Sequence, residues 1–440
     1  MSGELLAVEA AQATVLAGAV ALAAEGPVEP EAALGRVLAS PVVASTSLPP
    51  WDNASMDGYA IRASDVAEAS DATPVRLTLV GEARAGSLAG VRVLEGTAVR
   101  IATGAPLPPG ADAVVPVEAT TPLDAGGSPG ARGREVAGPV PDACLVHEAV
   151  AAGNAVRRAA SDVERGVTIA RAGTLVTPAV VALIAGAGVA GVMVRRRPVV
   201  AVLATGDEVR AAGTELGVAG IPDANGPALR SLVREAGGVP LDLGIATDRL
   251  DDVERRLRRG LAEADLVVVA GGVSVGPYDV VRAAFDRVGH VNLWRVAVQP
   301  GKPFAFGRAD VARRDAPVLL FGLPGNPVSV FVTFELFVRP VIRRLAGHAS
   351  LHRPTDRAVL DEPVTKSQGR RGYQRVVVVR AADGSPVRDD HGRVHVRLAG
   401  AQESHVLSGL SFAEALAVIP EPLATADAGT EVELRWLDRD

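Results

Sequence analysis

The sequence predicts a multidomain α/β protein whose central domain contains a mostly parallel sheet. The chain has 440 residues, of which 48% are hydrophobic, and this is enough for several domains that each bury a core. Between residues 196 and 347, apolar strands alternate with amphipathic helices, as in βαβ units. β-Rich runs separated by Gly, Pro and Asp flank this region and predict two further β domains.

The N-terminal region has a helical pattern. Residues 7–23 and 29–40 carry Ala, Val and Leu at helical spacing, and both stretches are predicted to be helices. A cluster of turn formers, "LPPWDNASMDGYAIR", ends this region. Residues 51–151 are then predicted to form a small β domain, with strands such as "VRLTLVG" and a loop over 120–136.

A helical pattern is predicted again after this β domain, over "VERGVTIARAGTLVTPAVVALIAGAG". The apolar run "PAVVALIAGAGVAGVMV" at 178–194 is at the short limit for crossing a bilayer, because about 20 apolar residues are needed. Glycines interrupt the run, and "RRR" follows it. We therefore predict a buried helix, a turn and a strand here, and no membrane partner.

The central domain supplies the clearest strand and helix pattern. The predicted strands are "VVAVLAT", "VPLDLG", "DLVVVAGG" and "PVLLFGLPG". The predicted helices are "DANGPALRSLVREAG", "DRLDDVERRLRRGLAEA", "YDVVRAAFDRVG" and "PVSVFVTFELFVRPVIRRLAG". From about residue 350, short β-rich stretches such as "GYQRVVVVRAA" predict a compact C-terminal β domain.

Composition limits the partners and the compartment. The net charge is −6, the pI is about 5.8, and the basic residues are scattered, so we expect no nucleic-acid partner. The single cysteine, Cys144, excludes an internal disulfide and a Cys-rich zinc site. The start of the sequence lacks the pattern of a secretory signal. We expect a cytoplasmic protein.

Several nucleotide and metal motifs are missing or misplaced. "GAGVAG" at 186–191 matches G-x-G-x-x-G, but it follows a predicted helix and precedes a strand, whereas a dinucleotide fingerprint does the reverse. No P-loop pattern and no H-E-x-x-H occurs in the chain. These patterns argue against a dinucleotide enzyme, a P-loop enzyme and a zincin.

Three glycine-rich loops follow predicted parallel strands: "ATGDE", "GGVSVGPYD" and "GLPGNPVS". The carboxyl ends of such strands meet at one sheet edge, where open α/β folds bind ligands. Glycines let backbone N–H groups approach a phosphate, and the predicted helix start near 326 adds further donors. We predict that these loops hold a phosphate-bearing ligand. The candidate binding residues in these loops are Thr205, Gly206, Gly271, Gly272, Ser274, Gly276, Pro324, Asn326, Pro327 and Ser329, and Asn225 and Gly301 are candidates outside them.

Four carboxylates near these loops need a separate explanation: Asp207, Glu208, Asp223 and Asp279. They would repel an anion unless a divalent cation such as Mg²⁺ joins them to its phosphates. The alternative for Asp223, which precedes Asn225 in "DANG", is helix capping. The alternative for the pair at 207–208 is a turn or a helix cap.

Two further features carry polar groups. The chain has only two lysines, and Lys302 lies between glycine and proline in "QPGKPFAFG", which suits contact with an oxyanion. An exposed loop lysine is the alternative. In "DNASMDGYA", Asp57 belongs to a bunch of polar residues that turn chemistry explains only in part, and Thr103 begins a Pro/Gly loop.

Taken together, the stretches "DNASMDGYA", "TGAPLPPGADAVVPVE", "LATGDEV", "DANGPALRSLV", "GGVSVGPYD", "PGKPFAFG" and "GLPGNPVS" resemble the molybdopterin molybdenumtransferase family, which includes the C-terminal domain of gephyrin. The resemblance covers roughly residues 5 to 435. It implies an elongated helical domain formed by 1–50 with 152–195, and a small β domain at 51–151. It also implies an adenylyltransferase-like, molybdopterin-binding α/β domain at 196–347 and a β-barrel at 348–440.

The resemblance implies a Mg²⁺-dependent reaction in which molybdenum from molybdate enters adenylylated molybdopterin and AMP is released. It also implies a homodimer with active sites shared between protomers, and it leaves molybdopterin adenylyltransferase and apo-molybdoenzymes as further partners. Asp279, Asp223 and Glu208 would serve Mg²⁺ and the nucleotide. The oxyanion would meet Lys302, Arg295, Ser329 and Ser408. Asp57 and Thr103 would reach across from the partner, and Asp162 matches an acidic position near the site.

The sequence departs from the family pattern at a few positions. Gln299 and Arg295 stand where the family often has Lys, and "AQESHVLSGLS" matches the family only loosely. Molybdate and tungstate therefore both remain open as the oxyanion. Two other functions also stay open: adenylylation of molybdopterin, and a non-catalytic binding or scaffold protein with the same fold.

Overall fold

The structure is a computed structural model that describes residues 5–87, 90–134, 139–272, 280–312 and 316–437. Its helices are α1 Val8–Ala17, α2 Pro178–Gly186, α3 Asn225–Glu235, α4 Leu250–Glu263, α5 Val280–Val288, α6 Pro327–Thr333, α7 Arg339–Leu345 and α8 Ser408–Ser411. One π-helical turn, Phe334–Val338, joins α6 to α7.

The strands are numbered in chain order. They are β1 Ala24–Val28, β2 Val42–Val43, β3 Asn53–Ala54, β4 Gly58–Ile61, β5 Val75–Ala83, β6 Thr97–Ile101, β7 Ala113–Pro116, β8 Thr120–Leu123, β9 Ala143–Val146, β10 Val156–Arg157, β11 Thr168–Ala170, β12 Val192–Arg195, β13 Val199–Thr205, β14 Val209–Arg210, β15 Ile221–Pro222, β16 Val239–Ala246, β17 Leu266–Ala270, β18 His290–Arg295, β19 Val298–Gln299, β20 Pro303–Ala309, β21 Val318–Leu323, β22 Thr355–Leu360, β23 Val364–Thr365, β24 Arg371–Val378, β25 Val394–Leu398, β26 Ala415–Ile419, β27 Thr425–Ala426 and β28 Glu431–Trp436.

The chain forms two compact units. The first, here called the α/β unit, contains Met1–Gly26, Gly35–Ala39 and Met193–Asp440. The second, here called the β unit, contains Pro27–Leu34 and Ser40–Val192. The four domain boundaries suggested by the sequence stay a prediction.

The α/β unit is built on a six-stranded sheet in the order β16-β13-β17-β21-β20-β18. The first four strands are parallel, and β20 and β18 continue the sheet antiparallel. Side chains alternate between the two faces, so that Val200 packs with α1, α3 and the α6–α7 helix while Ala201 packs with α4 and α5. The four predicted parallel strands are confirmed, and the two antiparallel strands at one end of the sheet are an addition to the prediction.

The C-terminal part of the α/β unit is a closed five-stranded barrel. Its strands pair in the order β24-β25-β22-β28-β26, and a further pairing of β24 with β26 closes the ring. Closure leaves no free sheet edge among these five strands. The prediction of a C-terminal β-barrel is confirmed.

The β unit contains the six-stranded sheet β7-β4-β6-β5-β9-β8. The strands are antiparallel except for the parallel pair β5 and β6. Tyr59, Ile61 and Cys144 lie in the buried core on one face of this sheet. The sequence prediction of short strands in this region is confirmed. The predicted loop over 120–136 was wrong at its start, because Thr120–Leu123 forms strand β8 and pairs with β9.

Two helix predictions were wrong. Residues 29–40 form only a single 3₁₀ turn, Glu31–Ala33, because Gly35 takes a φ of +72°, which a right-handed helix cannot contain. In the stretch that precedes α2, Gly166 and Gly173 have positive φ values and bracket strand β11, so this part is extended rather than helical. The predicted elongated helical segment therefore contains short strands as well as α1 and α2.

The apolar run at 178–194 forms α2, a turn and β12, in the predicted order. Only Ile184 of α2 is buried, so the prediction of a buried helix was wrong. Among the helices that the structure describes, none combines the length and the apolar character needed to span a bilayer.

Candidate functional site

Four strand ends of the parallel sheet surround one cavity, here called the sheet-edge cavity, with a volume of about 650 Å³. Parallel strands all present their carboxyl ends at the same edge, and loops after β13, β16, β17 and β21 contribute to the wall. The lining residues are Thr205, Gly206, Glu208, Val209, Ile221, Pro222, Asp223, Ala224, Asn225, Asp248, Gly271, Gly272, Val280, Val281, Gly325, Asn326, Pro327 and His405.

Close packing at the ends of β13 and β17 requires glycine. Thr205 donates its hydroxyl to the carbonyl of Ala270 at 3.3 Å, which ties the two strand ends together. Gly271 has a φ of +97°, and a Cβ there would lie 2.7 Å from Thr205 Oγ1. The backbone at 271 therefore approaches the neighbouring strand and the cavity more closely than any side chain would allow.

The start of α3 forms the opposite wall. Asp223 accepts the N–H of Gly226 at 2.9 Å. One of its two oxygens is therefore used at the start of the helix, as in the capping role that was the predicted alternative. Asn225 donates its side-chain N–H to the carbonyl of Gly325 at 2.7 Å. The oxygen of the same amide is buried and has no hydrogen-bond partner among the described residues. A ligand donor would satisfy it.

Three carboxylates line this cavity: Glu208, Asp223 and Asp248. Asp207 instead lines an adjoining cavity, and its carboxylate accepts the N–H of Asp248 at 3.0 Å while Asp248 accepts the N–H of Asp207 at 3.2 Å. Within the described ranges, no three His, Cys, Asp or Glu side chains form a group that could hold a metal ion by themselves.

A second cavity, here called the barrel-side cavity, lies between the α/β sheet and the barrel and has a volume of about 520 Å³. Lys302 and Arg370 supply positive charge to its wall, and Glu403 supplies one carboxylate. The complete lining is Gln299, Pro300, Gly301, Lys302, Pro303, Ser329, Thr365, Arg370, Gln374, Gln402, Glu403 and Ser404.

The barrel loop over residues 401–406 reaches both cavities. It is held in place by hydrogen bonds to Arg375, a residue that is 1% exposed. Its guanidinium donates to the carbonyls of Ala401 and Val406, each at 2.8 Å. Ser404 of this loop accepts a hydrogen bond from Asn326 at 2.6 Å, and its carbonyl accepts the N–H of Val328 at 3.1 Å. The start of α6 and the barrel loop are therefore locked together.

In the β unit, two predicted residues that are remote in sequence come together. Asp57 accepts the backbone N–H of Thr103 at 2.6 Å, and both residues are exposed. Asp52 has a different role, because it accepts the N–H of Ala159 and the guanidinium of Arg158, each at 2.7 Å. These hydrogen bonds hold the pKa of Asp52 below its usual range.

The structure distributes the predicted α/β-unit residues over both cavities. The sheet-edge cavity receives Thr205, Gly206, Glu208, Asp223, Asn225, Gly271, Gly272, Asn326 and Pro327. The barrel-side cavity receives Gly301, Lys302 and Ser329. Ser274, Gly276 and Asp279 lie outside the described residues.

Four predicted residues have other positions. Pro324 is buried behind the sheet edge, and Arg295 is exposed at the end of β18. Ser408 begins the short helix α8, and neither it nor the other two lines either cavity. Asp162 is exposed in the β unit. The roles suggested for these residues stay predictions.

Several lining residues were not predicted. Asp248 follows β16, so the same strand-end argument that identified the other loops could have identified it. Ser404 and His405 lie four and three residues before the predicted Ser408, in a stretch whose alignment with the family is loose. Arg370 belongs to the barrel, and only the pairing of β19 with β24 brings it near Lys302.

Comparison with known families gives three matches in chain order. Residues 6–188 match the "MoeA N-terminal region (domain I and II)". Residues 201–344 match the "Probable molybdopterin binding domain", and residues 357–436 match the "MoeA C-terminal region (domain IV)". The fold and the site thus define a multidomain MoeA-type protein with a molybdopterin-binding-type α/β domain at its centre.

The relatives cover nearly the whole chain. Molybdopterin molybdenumtransferase 2 of Mycobacterium tuberculosis is 36% identical over 408 residues, covering 91% of this chain and 92% of that protein. The molybdopterin molybdenumtransferase of Haemophilus influenzae is 32% identical over 403 residues, covering 91% of each. The crystal structure of a molybdopterin biosynthesis MoeA protein from Pyrococcus horikoshii matches with a TM-score of 0.75 at 29% identity, covering 98% of this chain and 99% of that one. The chain belongs to the molybdopterin molybdenumtransferase family, a family of transferases.

Proposed function

We propose that this protein inserts molybdenum from molybdate into adenylylated molybdopterin and releases AMP in a Mg²⁺-dependent reaction. The observation that carries the proposal is the junction of two chemically different cavities. Ser404 lines the cationic barrel-side cavity, while its neighbour His405 lines the acidic sheet-edge cavity. A nucleotide-bearing substrate and an oxyanion could therefore bind next to each other without competing for one site.

The sheet-edge cavity suits the adenylylated pterin. Glycines at 206, 271 and 272 let the wall of the cavity approach phosphate oxygens more closely than residues with side chains would allow. Apolar residues such as Ile221 and Val281 line the same cavity and offer surface for a ring system. The Asn225 side-chain oxygen, which has no partner among the described residues, would accept an N–H from the bound ligand, and adenine and pterin rings both carry such donors.

The donor chemistry of this cavity also fits Mg²⁺. Mg²⁺ prefers carboxylate oxygens and is usually held by one or two of them together with substrate phosphates, so a preformed set of three protein ligands is not required. Glu208 and Asp223 would hold the ion, with Asp279 as the third predicted ligand. When bound, the ion neutralises charge on the phosphates of the anhydride.

The barrel-side cavity suits molybdate. A tetrahedral dianion needs cations and hydroxyl or amide donors at close range, and Lys302, Arg370 and Ser404 supply them from three separate segments. Tungstate has the same charge and shape, so it would occupy the same cavity.

The reaction divides into two bond changes. A water oxygen forms the new P–O bond of AMP, the P–O bond of the phosphoanhydride breaks, and the pterin phosphate leaves with the electron pair. Molybdate then loses two oxide ligands as water, with protons from the two thiols and from solvent, while the two dithiolene sulfurs bind molybdenum. The residues of this chain bind and orient the two substrates, and orientation of this kind supplies a large part of catalysis in phosphoryl transfer.

We also propose that the enzyme is a homodimer and that Asp57 and Thr103 of each protomer complete the site of the partner. Their contact supports this proposal, because Asp57 is exposed and its carboxylate fixes the Thr103 backbone by accepting its N–H. Molybdopterin adenylyltransferase and apo-molybdoenzymes would be the partners before and after this step.

The proposal is tested by the release of AMP from adenylylated molybdopterin. We expect wild-type protein to release AMP only when both Mg²⁺ and an oxyanion are present. Glu208→Gln should lower the rate by roughly 10- to 100-fold and raise the Mg²⁺ requirement, because one carboxylate in the cavity becomes neutral.

Glu215→Gln is the matched control, because Glu215 is exposed and lines neither cavity. It should behave as wild type. Binding of the nucleotide without any AMP release would contradict insertion and favour a binding protein. Formation of adenylylated molybdopterin from ATP would instead indicate the adenylyltransferase.

A further inference from the structure

The position of Arg370 in the barrel-side cavity depends on a neighbouring hydroxyl. The Arg370 guanidinium donates a hydrogen bond to the hydroxyl of Ser367 in the same loop. Arg370 lines the cavity and Ser367 is exposed beside it. An arginine side chain has many rotamers, so whatever holds Ser367 also determines where this cation lies.

Ser367 is held by Gln299. The backbone N–H of Ser367 donates to the side-chain oxygen of Gln299 at 2.9 Å. Because an N–H can only donate, the amide of Gln299 must present its oxygen to Ser367. Gln299 itself is fixed by its backbone, because β19 pairs with β24 in register with Gly372.

The loop 366–370 is anchored to the barrel on its other side. Lys366 donates to the carbonyls of Glu421, at 3.3 Å, and Leu423, and Gly369 donates its N–H to Glu421 at 2.8 Å. Gln299 therefore links the loop 366–370 to the segment that carries Lys302, three residues further along the chain. The link sets the distance between the two cations of the cavity.

We propose that Gln299 is a positioning residue for the oxyanion site. Its amide oxygen holds Ser367, and Ser367 holds the Arg370 guanidinium in the cavity that also contains Lys302. This inference rests on the proposed function, which places molybdate in the barrel-side cavity. A guanidinium that is already fixed loses less conformational entropy when the oxyanion binds, so the hydrogen-bond chain increases affinity.

The first test replaces the acceptor without changing the charge. Gln299→Met keeps the length of the side chain and removes its oxygen. We expect molybdate affinity, measured by calorimetry, to fall roughly three- to tenfold, as for the loss of one hydrogen bond. AMP affinity and the melting temperature should stay at wild-type values. Gln368→Met is the matched control, because this amide lies in the same loop but donates away from the cavity, to the carbonyl of Pro422 at 3.2 Å. It should leave molybdate affinity unchanged.

A double-mutant cycle separates positioning from direct contact with the ligand. If Gln299 acts through Arg370, then Gln299→Met combined with Arg370→Met should bind molybdate no more weakly than Arg370→Met alone. Ser367→Ala should reproduce the loss seen for Gln299→Met, because it removes the hydroxyl that Arg370 uses. Additive losses, or a Ser367→Ala variant with wild-type affinity, would overturn the positioning role.

The same measurements separate failure of this inference from failure of the proposed function. A wild-type protein that binds AMP but neither molybdate nor tungstate would overturn the proposed function, and this inference with it. Oxyanion binding that depends on Arg370 but is unaffected by Gln299→Met would overturn this inference alone.

Discussion

Arg375 illustrates how a buried charge can serve a binding site that it does not line. Its guanidinium is paired with backbone carbonyls of the barrel loop, and Gln402 accepts its backbone N–H at 2.9 Å. Burial is the largest influence on this guanidinium and lowers its pKa, yet the hydrogen bonds to carbonyls satisfy its donors. The loop 401–406, which carries Ser404 and His405, is consequently fixed by its hydrogen bonds to Arg375.

Cys144 gives a prediction at the residue scale. Burial raises the pKa of its thiol from 9.0 to about 12, and the residue is fully enclosed in the core of the β unit. We expect no reaction with a disulfide reagent in the native protein at pH 8, and full reaction after unfolding in guanidinium, because the thiolate is the reactive form.

The same thiol contributes a pH dependence with a defined sign. The folded state keeps the proton that the unfolded chain loses above pH 9, so the contribution to the free energy of unfolding is present below pH 9 and is lost as the pH rises toward 12.

The control for the thiol reaction is Ser64→Cys, which places a thiol on an exposed residue of the same unit and should react at once at pH 8. Equal reaction rates for the two thiols would contradict the burial of Cys144.

At the scale of elements, the sheet-edge cavity is formed mainly by loops at the carboxyl ends of parallel strands. The apolar runs of the sequence predicted these strands, and the rule that their carboxyl ends meet predicted which loops come together. The same rule missed β18 and β20, because it applies to parallel strands and these two continue the sheet antiparallel. It also missed Arg370, which reaches its cavity through pairing of β19 with the barrel.

Gly271 gives a prediction at this scale, with Gly213 as the matched control. Both glycines have positive φ values, +97° and +81°, so alanine should cost each about 1 kcal/mol in the free energy of unfolding. A Cβ at 271 also meets Thr205 Oγ1 at 2.7 Å, whereas a Cβ at 213 meets nothing within 4 Å.

Gly271→Ala should therefore lose more stability than Gly213→Ala in chemical denaturation, and it should also weaken AMP binding, because the clash displaces the wall of the cavity. Gly213→Ala should bind AMP as wild type does. Similar AMP affinities for the two variants would show that the backbone at 271 does not contact the nucleotide.

At the scale of the whole molecule, the predicted site residues belong to two separate compact units. Glu208 lines the sheet-edge cavity of the α/β unit, while Asp57 and Thr103 meet in the β unit. In a homodimer with shared sites, as proposed, the exposed Asp57 and Thr103 of the β unit would contribute to the site of the partner.

Subunit complementation tests this proposal. Asp57→Asn and Glu208→Gln should each have strongly reduced activity as homodimers. When the two variants are mixed and allowed to exchange subunits, half of the dimers are mixed and carry one intact site of two, so activity should return to about a quarter of the wild-type value.

Each variant taken through the same exchange by itself is the control and should keep its low activity. Mixed dimers that are detected by mass spectrometry but remain inactive would indicate that each site is built within one protomer.

The sequence by itself determined the class of the fold, the parallel strands, the glycine loops and the family, because these depend on local periodicity and on short motifs. Local patterns also misled it at 29–40, where one positive-φ glycine outweighs helical spacing. Only the tertiary structure decided that there are two cavities, that Arg370 and Lys302 line the same one, and that a chain of hydrogen bonds joins Gln299 to Arg370 through Ser367. These contacts join residues about 70 positions apart across a strand pairing, and no local signal in the chain specifies such a pairing.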